Sequence, residues 1–214
     1  MNQKPGKRLK NYFDNHKMDQ ELSVKNKYYK YFPFKFLVES IIKRRTDKIV
    51  SSFKDFIKRG ERVLDVGAGG GWISKEIKKT KSTENVLLDI IDFNQTNLDL
   101  ILYDGEKMPF PNNSFDTVLL ICVLHHTEKP EAVLKEAKRV SRNKIIILED
   151  TYNSFFSKTV LCFWDVITNL SSFLIKPFGE KMSFNFKKVS QWQKIFDELS
   201  LKIISEEKPK YLKT

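Results

Sequence analysis

The run Val63-Leu64-Asp65-Val66-Gly67-Ala68-Gly69-Gly70-Gly71-Trp72 constrains this chain more than any other stretch. An apolar segment at residues 62–66 reads as a buried strand, passes directly into a glycine-rich turn, and is followed by residues that read as helix. Glycine tolerates positive φ and lets backbone N–H groups approach a ligand closely. In a doubly wound α/β sheet, such a turn lies at the carboxyl end of a strand, beside the crevice where ligands bind. A dinucleotide fingerprint needs glycine at its first, third and sixth positions. Counting from Gly67, the sixth position is Trp72, so a nicotinamide-dependent dehydrogenase is disfavoured. The pattern is instead Asp-x-Gly-x-Gly-x-Gly, beginning at Asp65. A carboxylate this close to the turn opposes a pyrophosphate and suits a ligand carrying an ammonium group or another cationic centre.

The rest of the chain extends the same architecture. Residues 21–59 have helical apolar spacing and Gly60 fits a stop. Further strands are expected at 85–91, 98–103, 115–122, 144–148 and 201–205, with helices at 72–79, 130–140, 154–175 and 190–199. Near-continuous apolar strands alternating with helices describe a parallel sheet covered on both faces. The expected fold is therefore Rossmann-like: a doubly wound, mostly parallel sheet in three α/β/α layers. At 214 residues, one such domain is the natural size. The division expected is a basic, aromatic-rich helical extension at 1–60 and a main domain at 61–214, the latter with an aromatic helical insertion at 151–186.

Residues 1–60 hold 16 Lys and Arg against 6 Asp and Glu, whereas the remainder is almost balanced at 22 against 21. A basic arm of this kind suits contact with nucleic acid or an anionic membrane surface, and equally a solvated helical face. The apolar stretch at 160–178 is interrupted by Asp165, Asn169, Ser171, Ser172 and Lys176, so it does not read as a membrane span. The basic, polar N-terminus is unlike a secretory signal. Cys122 and Cys162 lie in apolar surroundings and read as reduced thiols, and no metal-binding spacing is evident. A cytoplasmic protein without a metal is expected.

Four segments in order now carry a family resemblance: residues 63–71, 86–92, 104–116, and 123–126 followed by the helix at 130–140. Together they resemble the class I S-adenosylmethionine-dependent methyltransferases of the type 11 kind, well over 60–150 and loosely over 190–206. The resemblance implies S-adenosyl-L-methionine as cofactor and a role for each matching position. Gly67, Ala68, Gly69 and Gly71 would pass beneath the methionine part, with Asp65 helping to hold its amino group. An acid ending the second strand, Asp89 or Asp92, would accept the ribose hydroxyls. Asp89 stands 18 residues after Gly71, close to the family spacing. Asp104 and Gly105 would meet the adenine edge, and Cys122 would line the sulfonium side. The family's sheet has seven strands, whereas six are legible here, so the seventh is expected to be missing. The chain stops at Lys213-Thr214, which suggests a truncated product or a replaced final strand.

Methyl transfer needs donor and acceptor held in line, and a base only when the acceptor arrives protonated. Groups at the ends of strands four and five are placed for that: His125 and His126 on one, Glu149 and Asp150 on the other. His125, His126 and Asp150 are the candidate catalytic residues. Aromatic residues at 28–36 and 152–186 suit a lid over an apolar or flat acceptor. The acceptor expected is a small or apolar molecule. An RNA or protein acceptor and a non-catalytic cofactor-binding protein are the alternatives, although no Asn-Pro-Pro-aromatic signature is present.

Overall fold

A computed structural model describes residues 35–168 and 184–207. Its five strands are β1 (Arg62–Val66), β2 (Glu84–Asp89), β3 (Leu100–Leu102), β4 (Phe115–Ile121) and β5 (Ser141–Leu148). They form one sheet in the order β3-β2-β1-β4-β5, and every pair is parallel. The helices are α1 (Lys35–Phe53), α2 (Trp72–Lys81), α3 (Pro130–Val140), α4 (Phe155–Thr168) and α5 (Val189–Glu198). This is the doubly wound, three-layer architecture of the Rossmann-like folds.

The period-2 alternation of each strand divides the core into two. Leu64 and Val66 of β1 and Val118 and Leu120 of β4 pack with Val133, Leu134 and Ala137 of α3 and Trp192 and Ile195 of α5. Val63, Leu119 and Ile121 face the other way, against Ile49, Val50 and Phe53 of α1 and Ile77 of α2. The C-terminal half of α1 thus belongs to the sheet's own covering layer. Helix α3 shows why its sequence is helical: Pro130 stands in the first turn, Glu131 meets the positive end of the dipole, and Lys138 and Arg139 meet the negative end.

One difference from the sequence reading stands out. Residues 201–205 form no strand: the Leu201 N–H returns to the carbonyl of Phe196, closing α5, and Ile203 and Ile204 are exposed. An apolar alternating segment becomes a strand only beside a partner, and none of the described elements offers it one. Helix α4 begins as expected and is described to Thr168; the expectations for residues 1–34 and 169–183 lie outside the described residues. No helix among the described residues is long and apolar enough to cross a membrane.

At the amino-terminal end of the sheet, buried Glu61 accepts from Thr117 Oγ1 at 2.7 Å and pairs with Lys144 Nζ at 2.8 Å. Glu61→Ala would leave both partners without their acceptor in a nearly dry site. It should lower the unfolding free energy by about 2–3 kcal/mol, read from urea denaturation.

Candidate functional site at the carboxyl edge of the sheet

The chain leaves β1 for β2 on one side and returns through β4 on the other, so the strand order reverses between β1 and β4. That reversal opens a crevice above the carboxyl ends, and the glycine turn sits there. The Gly67 N–H donates to the Leu88 carbonyl at 2.8 Å, holding the turn to the end of β2. Gly67 has φ +66°, and a Cβ at this position would collide with the side chain of Val123 just beyond β4. Gly69 has φ +51°, yet a Cβ there would meet nothing within 4 Å. The first glycine is required for packing; the second borders open space, as a cradle for a ligand should.

Asp89, the last residue of β2, stands over this turn. Its Oδ2 accepts the Gly69 N–H at 2.8 Å and its Oδ1 accepts the Ile90 N–H at 2.7 Å. Asp92 lies beyond the strand, where its Oδ1 accepts the Asn94 N–H at 3.0 Å within the following loop. Of the two, Asp89 is the acid brought to the glycines. Asp65 is buried and accepts from Ser74 Oγ at 2.8 Å. Burial, only partly offset by that bond, pushes its carboxyl up to about 7. Asp104 is exposed, and its Oδ1 accepts the N–H groups of Glu106 and Lys107 at 2.9 and 3.1 Å, closing a turn that includes Gly105 at φ +82°. Those bonds hold its carboxyl below the usual range.

On the other side, Cys122 follows β4 with φ +54°, and its N–H donates to the Leu148 carbonyl at 2.7 Å. Burial, reinforced by the charges of Glu149 and Asp150, pushes its thiol up to about 12, so it stays neutral. The chain then makes a 3-10 turn, Leu124–His126. Glu149 organises this turn: one carboxylate oxygen accepts the N–H groups of Val123 and Leu124 at 2.8 and 2.7 Å, and the other meets His125 Nδ1 at 2.5 Å. The His125 ring also stacks on Phe186, with centroids 4.4 Å apart, and Nε2 lies 3.5 Å from Asp165 Oδ1 of α4. Burial opposes its charge, but Asp165 and Glu149 outweigh that and raise His125 to about 9. His126 is a third exposed, with Nε2 3.7 Å from the same Asp165 oxygen. Asp150 is raised above its ordinary value, chiefly by burial.

Two residues that organise this edge, and a third that anchors the Asp104 loop from the last turn of α3, just before the start of β5, were not marked as site residues by the sequence. Glu149 was visible only as one of two acids after a strand. Asp165 registered only as an interruption of an apolar run, which in an aromatic helix was itself the available signal. Arg139 bonds Glu136 and the carbonyls of Met108 and Phe110, while Glu136 accepts the Met108 N–H, so α3 anchors the loop that begins at Asp104. No sequence spacing announced that contact.

The fold and this edge define the class: a Rossmann-like α/β domain with a ligand crevice at the reversal point of its sheet. Residues 64–148 match the family described as methyltransferase domain. Relatives include the ubiquinone/menaquinone biosynthesis C-methyltransferase UbiE of Azotobacter vinelandii, 27% identical over 60% of this chain and 55% of that protein. The Burkholderia cenocepacia UbiE is 29% identical over 59% of this chain and 56% of that protein. The alignments thus span about half the length of these curated relatives. Among solved structures, the complex of the Haloferax volcanii Trm112 methyltransferase activator with a methyltransferase matches at TM-score 0.64 and 15% identity, covering 82% of this chain and 77% of that one. An S-adenosylmethionine-dependent methyltransferase from Aquifex aeolicus matches at TM-score 0.50 and 16% identity, covering 72% and 78%. Residues 64–148 are thus similar to the methyltransferase domain family, and the solved structures share the Rossmann-like fold.

The raised carboxyl of Asp65 has a consequence for stability. Below about pH 4 both folded and unfolded chains hold this proton. Between about 4 and 7 the unfolded chain releases it while the folded chain keeps it, so stability falls as pH rises, and levels off above about 7. Asp65→Asn should therefore gain stability relative to the parent as pH rises from 4.5 to 7.5, measured by urea unfolding at several pH values. An unchanged difference across that range would contradict the assignment.

Proposed function

We propose that this protein transfers the methyl group of S-adenosyl-L-methionine to a small, apolar acceptor. The observation that carries the reading is the placement of Asp89 against Gly69, at a turn whose outer side is open and which sits at the reversal point of the sheet. When bound, the cofactor supplies an electrophilic methyl group on a cationic sulfur. Gly67, Ala68, Gly69 and Gly71 seat its methionine part, and the acid of Asp89 accepts from the ribose hydroxyls. Asp104 and Gly105 border the adenine, with the turn already drawn tight by its own hydrogen bonds. Asp65, with Ser74, supports the turn from below and favours a cationic amino group above it. The neutral thiol of Cys122 lines the sulfonium side without offering a competing nucleophile.

The acceptor side is formed by His125, His126 and Asp150. His126 is the more accessible of the two histidines and the better placed to receive a proton; His125 is locked between Glu149 and Asp165 and acts by position. Exposed Phe155, Phe156 and Phe163 on α4 support an apolar acceptor. So do the quinone-biosynthesis names of the relatives. A cytoplasmic location belongs to the same reading, supported by the two free thiols. The basic character of residues 1–60 would instead serve an RNA or a membrane surface, and salt-dependent RNA binding would redirect the search for the acceptor.

Calorimetry with S-adenosylmethionine tests the cofactor site. Asp89→Ala should weaken binding by about 1–3 kcal/mol, the range for a lost charged hydrogen bond, and Asp92→Ala by less than twofold. Gly69→Val should fold, with a loss of about 1–2 kcal/mol from its left-handed backbone, and show no measurable binding. An unchanged affinity in Asp89→Ala would remove this residue from the site.

A further inference from the structure

We propose that His125, His126 and Asp165 form a binding site for a first-row divalent cation such as Zn²⁺ at the carboxyl end of β4. The three side chains come from two segments about forty residues apart in the chain, which is why no metal-ligand spacing shows in the sequence. Asp165 Oδ1 stands 3.5 Å from His125 Nε2 and 3.7 Å from His126 Nε2, and one ligand atom from each residue fits within 4.8 Å of the others. These separations are longer than good hydrogen bonds. They are close to the edge of a coordination tetrahedron, about 3.4 Å for metal–ligand bonds near 2.1 Å.

The surroundings fit the same purpose. A metal-bound histidine characteristically donates its other ring N–H to a carboxylate, which fixes the tautomer and aims the free nitrogen at the ion. His125 has that partner: Nδ1 meets Glu149 Oε2 at 2.5 Å, leaving Nε2 directed at Asp165. Glu149 is itself held by two backbone N–H groups, and the His125 ring is fixed by its stack on Phe186. The ligand is therefore positioned before any ion arrives. His126 is a third exposed and provides the path from solvent. Two imidazoles and one carboxylate leave at least one position open, as catalytic rather than structural sites do. An oxygen of the acceptor would take that position; this last use rests on the methyltransferase reading above, whereas binding of the ion does not.

The alternative state of the same residues is an imidazolium at His125 bridging two carboxylates, with no affinity for an ion. Calorimetric titration of chelator-treated full-length protein with ZnCl₂ alone separates the two, with Co²⁺ absorption spectra reporting coordination geometry. The expected result is one ion per chain with micromolar affinity or better, and a tetrahedral Co²⁺ spectrum. His126→Ala and Asp165→Ala should each weaken binding at least tenfold, and Glu149→Gln about 10–100-fold through loss of the outer-shell partner. Glu84→Ala, at the exposed amino-terminal end of β2, should leave it unchanged. Thermal unfolding checks that each variant folds, and His126→Ala, being partly exposed, keeps the test informative if the others do not. Absence of micromolar binding, or full retention in both His126→Ala and Asp165→Ala, would overturn the site. A parallel titration with S-adenosylmethionine keeps that outcome distinct from failure of the methyltransferase reading.

Discussion

The parallel register of β1 against β2, Val66 opposite Leu88, is the constraint from which the site follows. It puts the Leu88 carbonyl where Gly67 can donate to it and the Asp89 side chain where it accepts from Gly69. A shift of one residue would send Asp89 to the opposite face and leave the turn's N–H groups without those acceptors. The register in turn is held by Leu64, Val66 and Leu88 in one core layer and Val63 in the other. Burial of each such side chain is worth about 2 kcal/mol, so the apolar alternation of two short strands sets the position of a polar site at their ends.

A second organising element acts across the edge. Glu149 joins the end of β5 to the turn after β4 through three contacts, and His125 carries the connection on to α4. Three acids, Glu149, Asp150 and Asp165, thereby share a small partly buried region with two histidines. Arg45 of α1 adds a positive charge near Cys122 and Asp150. Such concentration of charge at a strand end opposes stability and is typical of places where chemistry or ligand binding is done. The glycine side and the histidine side meet at Gly67 and Val123, whose close packing allows no side chain at position 67.

Much of this was legible in the chain. The glycine turn, the acid 18 residues on, and the helix opened by Pro130 are local patterns: each depends on residues adjacent in sequence or separated by a helical repeat. The β1 bounds and the α3 bounds agree with the spacing, and Asp89 rather than Asp92 is the acid at the turn. Residues 201–205 show the limit. Their apolar alternation is that of a strand, but a strand exists only with a neighbour, and a single segment does not reveal whether it has one.

Local backbone chemistry and hydrophobic period therefore came from the sequence alone: where β1 and β4 begin, why glycine follows β1, and which class of cofactor suits the turn. Tertiary structure alone decided which distant polar groups share a site. Glu149 with His125, Asp165 with both histidines and Arg139 with the loop carbonyls are pairings across 24 or more residues or between separate elements. No periodicity encodes them, because their distances are set by how the layers pack and not by the spacing of residues along the chain.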